Sequence, residues 1–413
     1  MLKKIIKTRS LEKLLILGAT VNQLPFVGIA KKRGYYTITL DNVPENVCHK
    51  FSDKSVNIST VDKDLVLNFA KREKVNGIVT CASDLALPTV AYVCNNLNLP
   101  SVSNESVSTT INKNLFRNFL VKNKLMTPKH FVFSNNKEAF ETLKNLKGRW
   151  IIKPVDNSGS KGLYMINSGN TKDNLKEITE NAFNFSRSKK VILEEYIVGN
   201  NCSVDGFINN GRMDICCITN KSLTPLPHLT PISHTLPSRL PTEIQNRIKN
   251  IIIKILKILE VKTSPFDFDI VVAKNGDVYP IEMSLRIGGN GIPRLIMFYN
   301  GQDIYDSVIS YALNKEVSLK EENKRKLPTG VFLMRSSQTG RLLSIVSKEL
   351  LMNKYKENLK ELVYDLAIGD KVEKFTQGNH RMGHYILQAE TEGLLKKISN
   401  QIIKDLNVKI EPK

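Results

Sequence analysis

The chain has one tryptophan and only 7% aromatic residues, so it has no row of stacking side chains between basic positions. It also lacks zinc-finger spacing and an isolated basic tail. Specific nucleic-acid binding is therefore not expected, even though 60 Lys+Arg against 40 Asp+Glu give a formal net charge of +20. The excess is spread along helix-like stretches such as KKISNQIIKDLNVKIEPK, which read as a solvated face with general attraction for anionic substrates. Salt-sensitive adhesion to acidic polymers would follow from that charge alone.

Cysteine is sparse and scattered. Cys48, Cys81, Cys94, Cys202, Cys216 and Cys217 form no CxxC pair and no compact disulfide framework, so reduced thiols are expected in place of bridges or metal ligands. No run of about 18 apolar residues is present to span a membrane. The basic-then-apolar start, MLKKIIKTRSLEKLLILGA, runs directly into a strand-like segment. The expected setting is cytoplasmic. Two phosphate-binding signatures are missing as well. There is no GxxxxGK[ST], and Ala19, Thr20 and Val21 follow Gly18 where GxGxxG would need a second glycine.

What is present alternates. Leu14–Leu17, the turn at Gly18 and the segment through ITLD read as strand, turn, helix and strand, and VNGIVTCASD supplies another strand before an amphipathic run. This predicts a parallel sheet with covering helices. Asp41 and Asp84 follow strands, and each either faces a crevice at the strand ends or caps the next helix. Further on, FVFSNN, GRWIIKP and KKVILEEYI are short strands between turns. Ile244, Ile248, Ile251, Ile255 and Leu259 recur at helical spacing, and this stripe reads as packing. The last region mixes strand-like TGVFLMRS, GRLLSIV, LVYDLAIGDKV and GHYILQAE with a terminal helix, which predicts a small mixed domain.

Three segments could carry chemistry. In RWIIKPVDNSGSKGLYMI an apolar strand delivers Lys153 ahead of a loop with Gly159 and Gly162. Small residues let backbone N–H groups approach phosphate while a lysine neutralises it, although an ordinary hairpin turn has the same composition. KKVILEEYIVGN ends a strand at Glu194, Glu195, Tyr196 and Ile197. Such an end can offer a donor and an acceptor to a purine edge, but by itself it reads more readily as an exposed hairpin end. The third segment is SPFDFDIVVAKNGDVYPIEMSLRIGGNG. Folded at its NG/GD turn, it brings Asp269 near Glu282, two hard oxygen donors for a divalent cation, and Arg286 follows to meet phosphate. Asp267 shares the face of Asp269 and rivals it as a metal ligand. His228 and His234 lie in a polar, proline-rich loop after a strand, without zinc spacing, and exposed or structural roles fit them better than acid–base catalysis. His380 and His384 are assigned no metal.

Taken together, these segments resemble the ATP-grasp superfamily, especially carboxylate–amine ligases and the ATP-grasp modules of carbamoyl phosphate synthetase and biotin carboxylase. The resemblance covers nearly the whole chain. It implies an α/β and α+β protein with an N-terminal parallel-sheet, Rossmann-like pre-ATP-grasp domain (1–108), a central ATP-grasp domain with a smaller nucleotide-covering subdomain (109–311) and a C-terminal mixed cap (312–413). It further implies that Lys113 and Lys153 contact phosphates and that the loop of Ser158, Gly159, Ser160, Lys161 and Gly162 covers them. Glu194 would approach the adenine amine, Glu195 and Ile197 would present backbone groups, and Asp205 would lie near the ribose or substrate edge. Asp269 and Glu282 would hold Mg2+, with Mn2+ as a substitute, and Arg286 would steady the acyl phosphate. His228, His234 and Arg239 would border the substrate pocket. Two departures stand out: Ser284 replaces the family's frequent Asn, and Asn200 and Asn201 stand where an acidic residue often follows the hinge glycine.

The reaction so implied activates a small carboxylate as an acyl phosphate and joins it to an amine, releasing ADP and phosphate, with Lys153 and Arg286 as the catalytic side chains. Alternatives are a bicarbonate-dependent carboxylase or carbamoyl-phosphate-like enzyme, and a non-catalytic ATP-binding sensor or assembly protein. A homodimer through the N-terminal sheet is compatible with the sequence.

Overall fold

A computed structural model describes residues 11–167, 171–319, 321 and 325–412. The basic start at residues 1–10 lies outside the described residues. The first unit is a parallel sheet of β1 (Lys13–Leu17), β2 (Tyr36–Leu40), β3 (Lys54–Val56) and β4 (Gly77–Val79), ordered β3-β2-β1-β4. β1 is apolar from Leu14 to Leu17 because both its faces are covered there, as parallel strands require. At its end Gly18 takes φ +92°, a left-handed conformation suited to glycine, and its amide donates to the Leu40 carbonyl at 2.9 Å. Asp41 takes neither of its two expected roles. Its carboxylate accepts from the Ala19 and Val43 amides at 3.0 and 2.9 Å and so ties two loops together.

The second unit is a small antiparallel sheet of β5 (His130–Phe133), β6 (Trp150–Pro154), β7 (Tyr164–Ile166) and β8 (Val191–Glu195), ordered β5-β8-β6-β7. The helices Asn136–Asn145 and Lys172–Phe185 cover one face, burying Leu143, Ile152, Ala182 and Leu193.

The chain continues through β9 (Gly199–Asn209), β10 (Arg212–Leu223), β11 (Pro231–Leu236), β12 (Ser264–Ala273) and β13 (Val278–Ser284). The C-terminal strands are β14 (Thr329–Met334), β15 (Gly340–Ser344), β16 (Leu359–Tyr364), β17 (Lys371–Val372), β18 (Gly383–Gln388) and β19 (Lys409–Pro412). The sequence left β3 and the long central strands β9 and β10 unread. β11, which carries His234, is a strand where a proline-rich loop was expected, and β19 follows the last helix where the helix-like stretch was expected to continue, because β11 and β19 are held by pairing with distant strands. Eight strands form one antiparallel sheet, β13-β12-β9-β10-β11-β14-β18-β16, while β17-β15-β19 form a small one. The C-terminal region is thus joined by hydrogen bonds to the centre, because β11 pairs directly with β14 from Ser233–Phe332 to Leu236–Thr329.

Alternation decides the two faces of this large sheet. Val204, Phe266, Phe268 and Ile270 point to one side and pack under the helix Thr242–Ile258 through Ile248, Ile252, Ile255 and Leu256. That helix carries the expected stripe in broader form, with Ile248, Ile252, Ile255 and Leu256 fully buried and Ile244, Ile251 and the capping Leu259 at the margin. Ser203, Asp205, Asp267, Asp269, Glu282 and Ser284 occupy the opposite face. The six cysteines are free and all but half-buried Cys216 are buried. Burial pushes the thiols of Cys48 and Cys202 up to about 12, so they are inert core groups.

Gly206 in β9 shows how tightly the sheet is packed: a Cβ there would sit 2.2 Å from the Ile215 carbonyl oxygen and 2.3 Å from the Phe266 ring. Gly206→Ala is expected to cost about 3 kcal/mol of stability by overpacking, read as a lowered urea midpoint at unchanged slope.

Candidate functional site

A cleft of ≈ 1040 Å3 runs between the small sheet, the polar face of the large sheet and the loops of the N-terminal sheet. Its floor is the hairpin β12–β13. The register places Asp269 opposite Glu282 and Asp267 opposite Ser284, and β9 sets Ser203 and Asp205 beside Asp269 and Asp267.

Glu282, Asp269 and Asp267 are each met by a cation from a different element. Glu282 lies 3.5 Å from Lys113 Nζ, at the start of the helix Lys113–Lys122, and 3.3 Å from Lys153 Nζ on β6. Asp269 pairs with Lys221 of β10 at 2.6 Å. Burial alone would raise the Glu282 carboxyl, but Lys113, Lys153 and Lys221 outweigh it and hold the group at about 2. Burial also works against the charge of Lys221, and Asp269 reverses that effect. The sequence did not single out Lys221. Its only signal was a charge in the otherwise strand-like CCITNKSL, on the same face as Thr219.

Lys153 points inward from β6, 3% exposed, and also meets Glu194 of β8 at 2.9 Å. Glu194 is buried, and its other oxygen lies 2.8 Å from Arg117 Nε. Burial raises the Glu194 carboxyl, yet the charges of Arg117 and Lys153 bring it to about 2. The loop after β6 turns through left-handed Gly159, Ser160 and Gly162. A Cβ at Gly162 would meet the Phe185 Cβ at 2.7 Å, so only glycine fits there. Lys113 Nζ donates to the Asn157 carbonyl at 2.5 Å, and the Gly159 carbonyl accepts from the Gly378 amide at 3.3 Å, so the loop leans over the cleft toward the C-terminal region.

Arg286 sits at the far end of the floor. Asp84 holds its Nη2 at 2.8 Å and its Nε at 3.0 Å, and Asp267 takes Nη1. Of its two expected roles, Asp84 takes the crevice-facing one. The Ala82 amide bonds to the Ile287 carbonyl at 3.0 Å and carries the N-terminal sheet onto this loop. Asp267 pairs with Arg286, and Ser284 Oγ donates to Asp84 at 2.7 Å. Asp205 does not line the cleft. It is buried beneath residue 288, where a Cβ would stand 2.1 Å from its Oδ1, and burial with the neighbouring charge of Asp267 pushes its carboxyl well above the usual range.

The remaining expected residues divide. Glu195, Tyr196 and Ile197 line the cleft, but the Glu195 amide already donates to the Lys129 carbonyl at 2.9 Å. His234 lines it too, buried, and burial reinforced by Lys221 pushes it down to about 3, so the imidazole is neutral and its Nε2 unpaired. His228 lies outside the lining. Arg239 pairs with Glu392 at 2.8 Å on the surface, 66% exposed, which removes it from the pocket.

A seam that sequence reasoning missed closes the other end of the cleft. Arg381 donates to Asp365 at 2.5 Å, to Asn290 at 3.1 Å and to Asn22 at 3.0 Å, so one guanidinium joins the N-terminal, central and C-terminal parts. Its partners lie 16, 91 and 359 residues from Arg381, and no local spacing signals them.

Among the described residues no group of three or more His, Cys, Asp or Glu is placed to enclose a metal. The donor set still fits magnesium, which binds through one or two carboxylates and completes its shell with water and phosphate oxygens. Asp269 and Glu282 are two such carboxylates side by side, with lysines now supplying the compensating charge.

A family model described as an ATP-grasp domain matches residues 147–294, from β6 through the hairpin that bears Arg286. The chain has the ATP-grasp superfamily fold. Among solved structures, L-amino acid ligase from Bacillus licheniformis superposes with a TM-score of 0.80 at 20% identity, over 97% of this chain and 99% of that one. Phosphoribosylglycinamide synthetase from Anaerococcus prevotii gives 0.76 at 23% identity, over 97% and 100%. The biotin carboxylase domain of the Hydrogenobacter thermophilus 2-oxoglutarate carboxylase, in complex with MgADP, ADP and bicarbonate, gives 0.75 at 14% identity, over 97% and 90%. An uncharacterized protein of Sinorhizobium fredii (strain NBRC 101917 / NGR234) is 23% identical over 251 residues, 60% of this chain and 51% of that protein. A D-alanine–D-alanine ligase of Pelagibacter ubique is 28% identical over 107 residues, 25% of this chain and 33% of that one. The chain thus spans about half or less of the curated relatives it matches. No helix among the described residues is long and apolar enough to cross a membrane.

The acid limb of stability should report this cleft. Glu194 and Glu282 sit at about 2 against an ordinary value of 4.5, so the stability they contribute is fully present above pH 4.5 and lost as pH falls toward 2. Urea midpoints measured from pH 6 to pH 2.5 should fall steeply for the wild type and less steeply for Glu194→Gln, which starts lower at neutral pH.

Proposed function

We propose that the protein is an ATP-dependent, magnesium-requiring enzyme that phosphorylates a carboxylate and passes the acyl group to a nucleophile. The observation carrying this reading is the convergence of Lys113, Lys153 and Lys221 on the pair Asp269 and Glu282, with Arg286 at the end of the same floor. A cluster of cations held over two carboxylates suits a ligand that brings both anionic phosphates and a divalent cation.

In the proposed reaction a carboxylate oxygen attacks the γ-phosphorus of ATP, the bond to the bridging oxygen breaks, and ADP leaves. The nucleophile then adds to the acyl carbon, the carbon–oxygen bond to phosphate breaks, and phosphate departs with that bond's electrons and takes up the proton the nucleophile loses. Magnesium, held by Asp269 and Glu282, would supply charge neutralisation on the phosphoryl oxygens. Lys113 and Lys153 bind and orient the phosphates, and the loop 157–162 excludes water from the acyl phosphate. Arg286, fixed by Asp84 and Asp267, presents its charge to the acid. His234 is neutral, with a buried and unpartnered ring nitrogen, on the strand that lines the cleft.

Two acids satisfy this site. Bicarbonate is favoured by the likeness to a bicarbonate-bound biotin carboxylase domain along 97% of the chain. An organic acid joined to an amine is favoured by the likeness to L-amino acid ligase and phosphoribosylglycinamide synthetase.

ADP and phosphate release from Mg-ATP, measured with bicarbonate alone and with a panel of carboxylates with and without amines, separates them when products are weighed by mass spectrometry. An amide mass supports the ligase, and release driven by bicarbonate alone supports the carboxylating reading. MgATP binding with no release across the panel would overturn both in favour of a sensor. Lys153→Met should lower substrate-dependent ADP release at least ~100-fold. It should keep a native circular-dichroism spectrum while losing stability, because Glu194 and Glu282 each lose a cation.

A further inference from the structure

The loop after β6 is held near both its ends and once more at its crest. At its start the Asn157 carbonyl accepts from Lys113 Nζ at 2.5 Å, and at its end Gly162 passes against Phe185. The crest is held from across the cleft, where the Gly159 carbonyl accepts from the Gly378 amide at 3.3 Å. Gly378 opens a short 3-10 turn, Gly378–His380, in the C-terminal region, and Gly378, Asn379 and Arg381 all line the cleft.

That turn is braced from within and from both sides. The Lys374 carbonyl can only accept, so His380 donates to it through Nδ1 at 2.9 Å, and Nε2 is left to accept from the Gln377 side-chain amide at 2.6 Å. Just before the turn, the Thr376 carbonyl accepts from Oγ1 of fully buried Thr230 at 2.9 Å, which ties it to the loop between β10 and β11. Just after it, Arg381 reaches Asp365, Asn290 and Asn22. A segment anchored at so many points offers a fixed surface, and the glycine-rich loop facing it is the part free to lift.

We infer that Gly378 is a positioning residue for the proposed reaction: its amide is the landing point for the crest of the loop 157–162, so the seal over the phosphates is completed by the C-terminal region. The sealing role rests on the nucleotide reading above, whereas the docking rests on the contact itself.

The local geometry allows that one donor to be removed cleanly. Gly378 lies outside the left-handed region, and a Cβ there would meet only the Gly159 oxygen, at 3.9 Å, so alanine fits and keeps the N–H. Proline fits too, because the first position of a helical turn loses no intrahelical bond to it. Gln377, the residue before, is already extended at φ −151° and ψ 162°, as a residue preceding proline must be.

Lys161 gives trypsin a cutting point beside the crest, and the rate of that cut reports how often the loop is lifted. Cleavage after Lys161 is followed by peptide mass in the full chain, alone and with the magnesium complex of AMP-PNP or of tripolyphosphate. Without either complex, Gly378→Pro should be cut roughly fivefold faster than wild type, the effect of one lost hydrogen bond, and Gly378→Ala within about twofold of wild type. With MgAMP-PNP, the wild type and the alanine variant should become protected and the proline variant less so. Equal rates in all three proteins would overturn the docking, and so would equal acceleration in the alanine variant, which retains the amide. Acceleration at lysines and arginines throughout the C-terminal region would show that proline loosens that region as a whole, and it would overturn the assignment to the loop. If neither magnesium complex slows the cut in the wild type, the nucleotide reading fails, while the comparison without them still decides the docking.

Discussion

Carboxylates held on the inner face of a sheet need cations close by, because an ionised group taken from water without a partner is too costly to keep. In this protein that requirement organises the whole cleft. Asp269, Glu282, Glu194, Asp267 and Asp84 are each met by a lysine or arginine, and the cations come from elements far apart in the chain. Lys113 and Arg117 come from one helix, Lys153 from the small sheet, Lys221 from the large sheet and Arg286 from the loop after β13. Charge compensation thus fixes how the small sheet sits over the large one. The same pairing gives the proposed chemistry a low barrier to loading: a divalent cation can replace the lysines at the carboxylates while phosphates replace the carboxylates at the lysines. Such an exchange keeps every charge partnered throughout.

Backbone geometry supplies the rest. The large sheet offers a polar face because β9 and β12 alternate, and the opposite face is sealed by the apolar side of the helix Thr242–Ile258. Glycine at 162 lets the loop after β6 pass against Phe185, and glycine at 288 leaves room for Asp205 beneath the hairpin's end. The β11–β14 pairing extends the sheet into the C-terminal region. From that region Arg381 reaches back to Asn22 and Asn290, so the cleft is closed by contacts among all three parts of the chain.

Local pattern carried much of this in the sequence. The apolar runs around Ile152, Ile192 and Val271 announced strands, the helical recurrence from Ile244 to Leu259 announced a packed helix, and the NG/GD turn set the register that pairs Asp269 with Glu282. All of these are interactions between near neighbours, and near neighbours leave a period in the sequence. Arg117 hid in such a period. It lies between Phe116 and Leu120 on the inward side of its helix, where an arginine reads as an exception and its partner cannot be named.

The sequence by itself therefore determined many of the strands and the Thr242–Ile258 helix, where the glycine loop lies and which hairpin bears paired carboxylates, because each depends on residues within a few positions of one another, whereas β9, β10 and β11 emerged only from their pairing in the large sheet. Only the tertiary structure decided which cation each carboxylate receives. It placed Glu194 between Arg117 and Lys153, Asp267 against Arg286, Ser284 on Asp84, and Arg239 away from the cleft beside Glu392. The physical reason is that charge pairing acts through space at a few ångströms and is indifferent to separation along the chain, so no sequence period records it.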